Sequence, residues 1–395
     1  MKKIILVLTM VFTLLLVACE QQDFVNPLPE LDNSDELELT LTQKYDFLKD
    51  VDFNGVNYDE ILLEQFAKFE LNYELDTNVE YPTYKNKSHL ETNISFDYDA
   101  KSYIKLGDNV SETIIYLLLD KLEVKANFLT DSETTIDTTI TNHQAIDLDI
   151  DFSDTYLLMK NQNIYAQTNG FFKLVVDLQG EINTTEKVFD MVKEKPTTEN
   201  VFTQNEYQIL KDLFDSFMAY DFTLPEELPT DSSYDELLSE FDQMIKVYQQ
   251  GDLYTVRVLI DKAMVDELID QQFDSIILGY QIEYSEEEKQ QIEEAKTILK
   301  AALQAFEFDF RFEVRNNKVK RILGSLTGQI GPTEYSIPDL EEGNYGIYKG
   351  MIKLEKFGFI LDLDPVAPSM PTNFNGFAQV DQLAFVKFVN SIDLY

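Results

Sequence analysis

Phe306, Phe308, Phe310, Phe312 and Val314 alternate without interruption with Glu307, Asp309, Arg311 and Glu313. A period of two puts the apolar side chains on one face of a strand and the charges on the other. Asn316-Asn317 follows, a pair that tolerates the positive φ angles of a tight hairpin turn, and Val319–Leu326 is the expected return strand. The same alternation marks Phe69–Leu75, the start of a strand at Ile94–Tyr98, and Leu122–Phe128. Thr113–Leu119 is apolar without a clear period, so its type stays open. Thr135–Thr141 and Ile146–Phe152 read as paired strands joined at Asn142-His143-Gln144. Tyr156–Met159 and Ile164–Gln167 read as a hairpin around residues 160–163. Phe171–Leu178, Tyr345–Leu354 and Phe357–Leu363 complete the expected strands.

Elsewhere the period lengthens. Tyr58–Gln65 is expected to be a short helix. Thr203-Gln204-Asn205-Glu206, Ser233-Tyr234-Asp235-Glu236 and Ser285-Glu286-Glu287-Glu288 have the form of capping boxes. The second opens a helix whose apolar face carries Leu237, Phe241, Met244, Ile245 and Tyr248, with Gly251 as its C-cap. Leu253–Ile260 reads as a strand, after which Asp261 caps a helix carrying Met264, Leu268 and Phe273. The third box opens a helix with Ile292, Ile298 and Leu303 on one side.

Strands in consecutive runs with a central block of helices predict an α+β fold. The expected architecture is one or two antiparallel curved sheets, or a half-barrel, with amphipathic helices packed on one face. Residues 44–200 form a strand-rich module, and residues 201–395 a helical block followed by antiparallel strands. The sequence leaves two alternatives, separate modules or one continuous domain.

The first residues obey a different logic. Met1-Lys2-Lys3 is followed by an apolar run to Val17 broken only by Thr9 and Thr13, and Cys19 is the only cysteine. The run is short for a membrane span and has no charged stop after it. Leu16-Val17-Ala18-Cys19 resembles the lipobox of bacterial lipoproteins. That resemblance implies removal of residues 1–18, acylation of Cys19 and retention at the outer face of the cell membrane. Residues 19–43, acidic and carrying Pro27 and Pro29, are then expected to form a tether.

The chain holds 72 Asp and Glu against 32 Lys and Arg, a net charge of −40. Loss of Lys2 and Lys3 with the signal makes it two units more negative. Such a chain repels phosphate backbones, which argues against a nucleic-acid partner. With 44% hydrophobic residues there is ample material for a core. A single cysteine excludes an intrachain disulfide.

Candidate chemistry is thin. Asp147, Asp149, Asp151 and Asp154 have the opening spacing of a calcium loop, but Phe152 stands where Gly is needed and Leu158 where the bidentate Glu belongs. The alternating Ile146, Leu148, Ile150 and Phe152 favour a strand with one wet face. His89 and His143 show no zinc-ligand spacing. Gly324-Ser325-Leu326-Thr327-Gly328 has its Ser in the wrong place for a nucleophile elbow. No phosphate-binding Gly loop is present. No catalytic residue, metal site or cofactor is therefore expected, and the chain reads as non-enzymatic. The row Phe306, Phe308, Phe310 and Phe312 is either a core strand or the lining of an apolar cavity.

A lipobox, an acidic tether, serial antiparallel strands and amphipathic helices together resemble the LolA/LppX-like lipoproteins. That resemblance implies a non-catalytic carrier or sensor of a lipid or other apolar molecule; it assigns no ligand residues, and the Phe row is the candidate lining read from the alternation itself. The alternative is a surface interaction or adhesion protein without a pocket. A two-lobed solute-binding protein fits the strand order less well.

Overall fold

The computed structural model describes residues 26–53, 59–197, 205, 207–209, 211–212, 239, 242–279, 285–337 and 344–392. Six strands form a meander in which each pairs antiparallel with the next: β1 (Glu60–Tyr81), β2 (Tyr84–Lys105), β3 (Ile114–Thr135), β4 (Thr139–Lys160), β5 (Asn163–Leu178) and β6 (Glu181–Pro196). A second antiparallel run comprises β7 (Ile245–Gln250), β8 (Leu253–Asp261), β9 (Leu303–Arg315), β10 (Lys318–Ile337) and β11 (Tyr345–Asp362). Because β11 pairs with β1, the two runs share one sheet. A short β12 (Ala378–Val380) adds in parallel to β6. The order across all twelve strands is β12-β6-β5-β4-β3-β2-β1-β11-β10-β9-β8-β7.

This corrects the expected α+β class. The molecule is β-rich, and among the described residues helices do not form a layer over a face of the sheet. Four α-helices have both ends among the described residues: α1 (Leu41–Asp50), α2 (Lys262–Gly279), α3 (Glu286–Ala302) and α4 (Ala384–Val389). α1 packs near β7, while α2 and α3 touch β8, β9 and β10. Glu60–Gln65 is strand, not helix. Residues 245–250 are β7, and Gly251 takes φ +65° in the β7–β8 turn instead of capping a helix. Thr139–Thr141 and Ile146–Phe152 lie in the same strand, and the turn falls at residues 136–138. Ala18, Cys19 and the apolar run before them lie outside the described residues, as do the first two capping boxes apart from Asn205.

β1 to β4 each contain 22 residues, about 70 Å at 3.3 Å per residue. Such length is broken up by bulges. Register shifts at Asp99/Ala100 in β2, Phe152/Tyr156 in β4 and Thr168/Gly170 in β5 fall at neighbouring levels. Asp154 at φ 48° and Met191 at φ 44° stand on the same line. Bulges bend a strand and strengthen its twist, so this line is a crease across β2 to β6. It also switches side-chain phase: Asp120 is the unpaired extra residue of β3, and Leu122 and Leu119 on either side of it share a face.

The main core lies at the β7–β10 end. Val247, Val256, Phe312, Val314 and Val319 pack there with Leu48 and Val51 from α1 and its end. Residues 26–39 lie on this end of the sheet. Glu36 bridges to Tyr248, and the Leu37 N–H donates to the Val247 carbonyl at 2.8 Å. The segment therefore covers the exposed edge of β7, which would otherwise offer unpaired backbone groups. Leu28 is buried on the face opposite α1. Residues 26–43, assigned from sequence to the tether, are thus part of the body.

Candidate functional site

Upstream of the crease, one face of the meander is apolar from strand to strand. Register places Phe69, Phe96, Val124 and Ile150 in one cross-strand row, with Ala67, Tyr98, Leu122 and Phe152 in the next. The Phe69 and Phe96 rings stack at 5.3 Å. Beyond the crease the phase switch keeps Leu117, Leu119 and Leu157 on this same face. Sequence alternation alone would have put Leu117 and Leu119 on the other side.

The opposite face beyond the crease is filled. Tyr103, Tyr116, Tyr156 and Leu158 form a buried cluster there, covered by Met370, Phe374 and Phe377 of the chain after β11. Tyr165 stacks on Phe374 at 3.9 Å. The Tyr103 hydroxyl donates to Glu60 at 2.5 Å. Burial, with the adjoining Glu60 carboxylate, pushes the Tyr103 phenol far above its ordinary value.

The apolar face is left partly open, and α4 lies over it. Phe385 meets Phe152 edge-on at 5.6 Å, and Phe388 meets Phe172 at 5.2 Å. Both rings also flank the buried Phe189 of β6. Between α4 and the sheet lies a groove of about 590 Å³. Its walls include Leu119, Leu122, Ile150, Leu157, Phe172 and Val389, with Ser102, Thr155 and Thr168 as minor polar elements. Lys101 is the only lining residue charged at neutral pH. The groove thus has the volume and apolar character of a small-molecule site, and among the described residues it brings together no acid–base pair or set of metal ligands.

The sequence-chosen residues lie elsewhere. Phe310 and Phe312 belong to the core beside α1, and Phe312 meets Phe53 edge-on at 5.5 Å. Phe306 and Phe308 are half-buried on β9. None of the four lines the groove. The charges that alternate with them are not all solvated: Asp309 and Arg311 are almost wholly buried. Asp147, Asp149 and Asp151 lie on the polar face of β4, where Asp147 accepts a hydrogen bond from Asn127 at 2.6 Å. Ser325 is buried within β10 and donates to Asn26 at 3.3 Å, so it acts as a structural hydroxyl. His89 and His143 are on the polar face near the hairpin tips. The groove was not legible in advance because α4 lies about 200 residues beyond the strands it covers.

Among the described residues no helix is long and apolar enough to cross a membrane. No protein-family model matches the chain, and no curated protein matches it. Among solved structures, the beta-barrel-like protein of domain of unknown function DUF1849 from Brucella abortus is 8% identical, with 73% of this chain and 98% of that chain covered and a TM-score of 0.14. The translocator domain of the autotransporter NalP from Neisseria meningitidis is 8% identical, with 81% and 95% covered and a TM-score of 0.13. At such TM-scores the backbones do not superimpose, and neither likeness bears on fold or function.

Proposed function

We propose that this chain is a membrane-anchored, extracytoplasmic, non-catalytic binding protein that carries a long aliphatic ligand in the groove beneath α4. The observation that carries this reading is the groove itself: an apolar sheet face at a crease, roofed by an amphipathic segment, with a volume of about 590 Å³. Each buried methylene contributes about 0.8 kcal/mol, against an association cost of about 4–15 kcal/mol. A ligand must therefore bury on the order of ten methylenes before it binds usefully, which selects acyl chains over short alcohols or amino acids. Anchoring through acylated Cys19 supports the same reading, since it would hold the carrier beside a source of such chains.

The test is binding of a fluorescent long-chain fatty acid to the purified full chain, with mass spectrometry of copurifying lipid. Leu119→Glu and Leu157→Arg place a charge in the groove and are expected to abolish binding while leaving the hairpin registers intact. Saturable binding that survives both substitutions would place the ligand elsewhere, and absence of binding in the unaltered chain would end the proposal. Fatty-acid labelling that is lost in Cys19→Ser tests the anchor separately.

A second reading has its own support. Phe128 and Ile146, directly opposed on β3 and β4, are exposed on the apolar face away from the groove, and Leu178 is exposed at the end of β5. Exposed apolar surface of this kind suits a protein partner. Charged substitution at Phe128 that abolishes a surface interaction but spares fatty-acid binding would support it.

A further inference from the structure

The chain has two histidines, and strand register puts both in one row. Asp76 of β1 opposes His89 of β2, His89 opposes Asp131 of β3, and Asp131 opposes His143 of β4. Directly opposed residues have Cβ atoms about 4.5–5.5 Å apart, so the row alternates carboxylate and imidazole across four strands. It lies on the polar face, about 30 Å along β3 from the groove at 3.3 Å per residue. A cleft of about 460 Å³ contains all four side chains.

The two imidazoles begin alike and then differ. His89 Nδ1 lies 2.8 Å from Asp76 Oδ1, and His143 Nδ1 lies 2.6 Å from Asp131 Oδ1. At His89 a further carboxylate converges. Glu74 is two residues before Asp76 and therefore on the same face of β1. Ligand atoms of Glu74, Asp76 and His89 all lie within 4.8 Å of one another, the single such group among the described residues. The other ring nitrogens are alike, with His89 Nε2 at 3.7 Å from Glu91 and His143 Nε2 at 3.8 Å from Asp177, but no such three-residue group forms at His143.

We propose that Glu74, Asp76 and His89 bind one divalent transition-metal ion of the zinc class. One imidazole nitrogen with two carboxylates is a mixed donor set that suits zinc, nickel or copper better than magnesium or calcium, which take oxygen alone. Bonds of about 2.0–2.2 Å to each donor require the three atoms to close by small side-chain rotations, and all three residues are half-buried, not locked in the core. Two competitors must yield. The proton shared by His89 and Asp76 leaves, and the Lys349 ammonium, now 3.2 Å from Glu74, swings away. Three protein ligands leave a fourth position for water.

The experiment is calorimetric titration of the purified full chain with zinc chloride at near-physiological salt, beside calcium chloride as the measure of diffuse attraction to this acidic surface. Imidazole NMR signals, two in number, identify the residue engaged. Saturable zinc binding at one ion per chain, with a selective shift of the His89 signals, is the expected result. His89→Asn and Glu74→Gln should each weaken zinc by about tenfold or more and leave calcium unchanged. His143→Asn should leave zinc binding as it was. Thermal unfolding midpoints of the variants separate ligand loss from unfolding. Zinc no tighter than calcium, or equal losses in His89→Asn and His143→Asn, would overturn the proposal.

Discussion

Arg311 and Asp309 form a bidentate ion pair within a single strand. Two residues apart on β9, they share a face, and Arg311 donates from Nε to Oδ1 at 3.0 Å and from Nη2 to Oδ2 at 2.6 Å. Asp309 has no exposed surface and Arg311 only 3%. Arg257, opposite Arg311 on β8, adds two donors at 3.0 and 2.8 Å, and Asn26 adds one at 2.6 Å. Burial alone would push the Asp309 carboxyl up, but the hydrogen bonds and charges of Arg311 and Arg257 hold it below the ordinary aspartate range. A buried pair of this kind gives little net stability when formed and costs much when broken. Asp309→Asn leaves two guanidinium groups facing each other and should destabilise the chain by about 3–5 kcal/mol. The check is a fall in the urea midpoint with an unchanged denaturant slope. The depressed carboxyl also fixes the sign with pH. Its contribution is complete above the ordinary aspartate value and is lost as pH falls through the lower folded-state value, so acid unfolding should shift to higher pH when Arg257 is replaced by Met.

The same cluster pins the start of the body. Asn26 donates to Glu307 and Asp309, and Arg311 donates to the Pro29 carbonyl. Under the proposed acylation of Cys19, only the segment between residues 19 and 26 separates the lipid from the sheet, about 25 Å at full extension. The body should then lie close to the bilayer despite its negative charge. A donor dye in the lipid headgroups and an acceptor on a cysteine introduced at Lys318 measure the gap. Inserting a long Gly-Ser segment before Asn26 should lengthen it, whereas Asn26→Ala should expose residues 26–35 to protease. No change in energy transfer after the insertion would mean that something other than the acyl segment sets the distance.

How far the sequence could be read follows from which forces acted locally. The β9 alternation and the Asn316-Asn317 turn were legible because pattern and turn chemistry reside in contiguous residues, and both Asn take positive φ, at 52° and 60°. β3 read as an ambiguous run followed by a strand because the bulge at Asp120 shifts the phase between Leu119 and Leu122. β7 carried a helical spacing up to Tyr248, yet pairing of Val247 with Val256 prevailed, since a short segment takes the structure its neighbours stabilise. The burial of the charges on β9 was hidden for another reason. Charged residues count as solvated until a partner such as Arg257 is brought in from another strand. The groove and the histidine row depend on registers between distant strands, which composition and periodicity do not encode.

The crease makes its own prediction. Asp154 holds φ 48°, a conformation disfavoured by about 1–2 kcal/mol for residues with a Cβ. Asp154→Gly should be neutral or stabilising, and Asp154→Val destabilising by more than the Gly variant gains, because β-branching adds to the strain. Gly170, directly opposite Phe152 on β5, takes φ +145°. Any Cβ there would collide with the Asp151 carbonyl and come within 2.7 Å of Phe152 Cα. Gly170→Ala should therefore cost about 1–3 kcal/mol and displace Phe152, a groove wall. Thermal melts of the three variants, combined with fatty-acid binding, separate strain from site. Loss of binding in Gly170→Ala with binding retained in Asp154→Gly is the expected pattern.

The cover of the groove is held by few interactions, which makes it the part most open to perturbation. α4 is six residues long and has no side-chain cap, too short to persist by itself in water. What holds it is Phe385 against Phe152 and Phe189, Phe388 against Phe172 and Phe189, and the Ala384 N–H donating to Glu194 at 2.8 Å. Aromatic pairs contribute about 0.5–1.5 kcal/mol each beyond their buried area. Removing both rings in Phe385→Ala/Phe388→Ala therefore leaves the helix with less than it needs to stay docked. The sheet keeps its registers, since none of its ladders runs through α4, so the main unfolding transition should move little. Cleavage after Lys387 by trypsin should accelerate strongly, and fatty-acid affinity should fall because the ligand loses one wall. Ligand should in turn protect Lys387 in the unaltered chain, as binding and docking draw on the same contacts. Unchanged affinity in the double variant, together with no protection of Lys387 by ligand in the unaltered chain, would show that the ligand sits on the open sheet and that α4 is no part of its site.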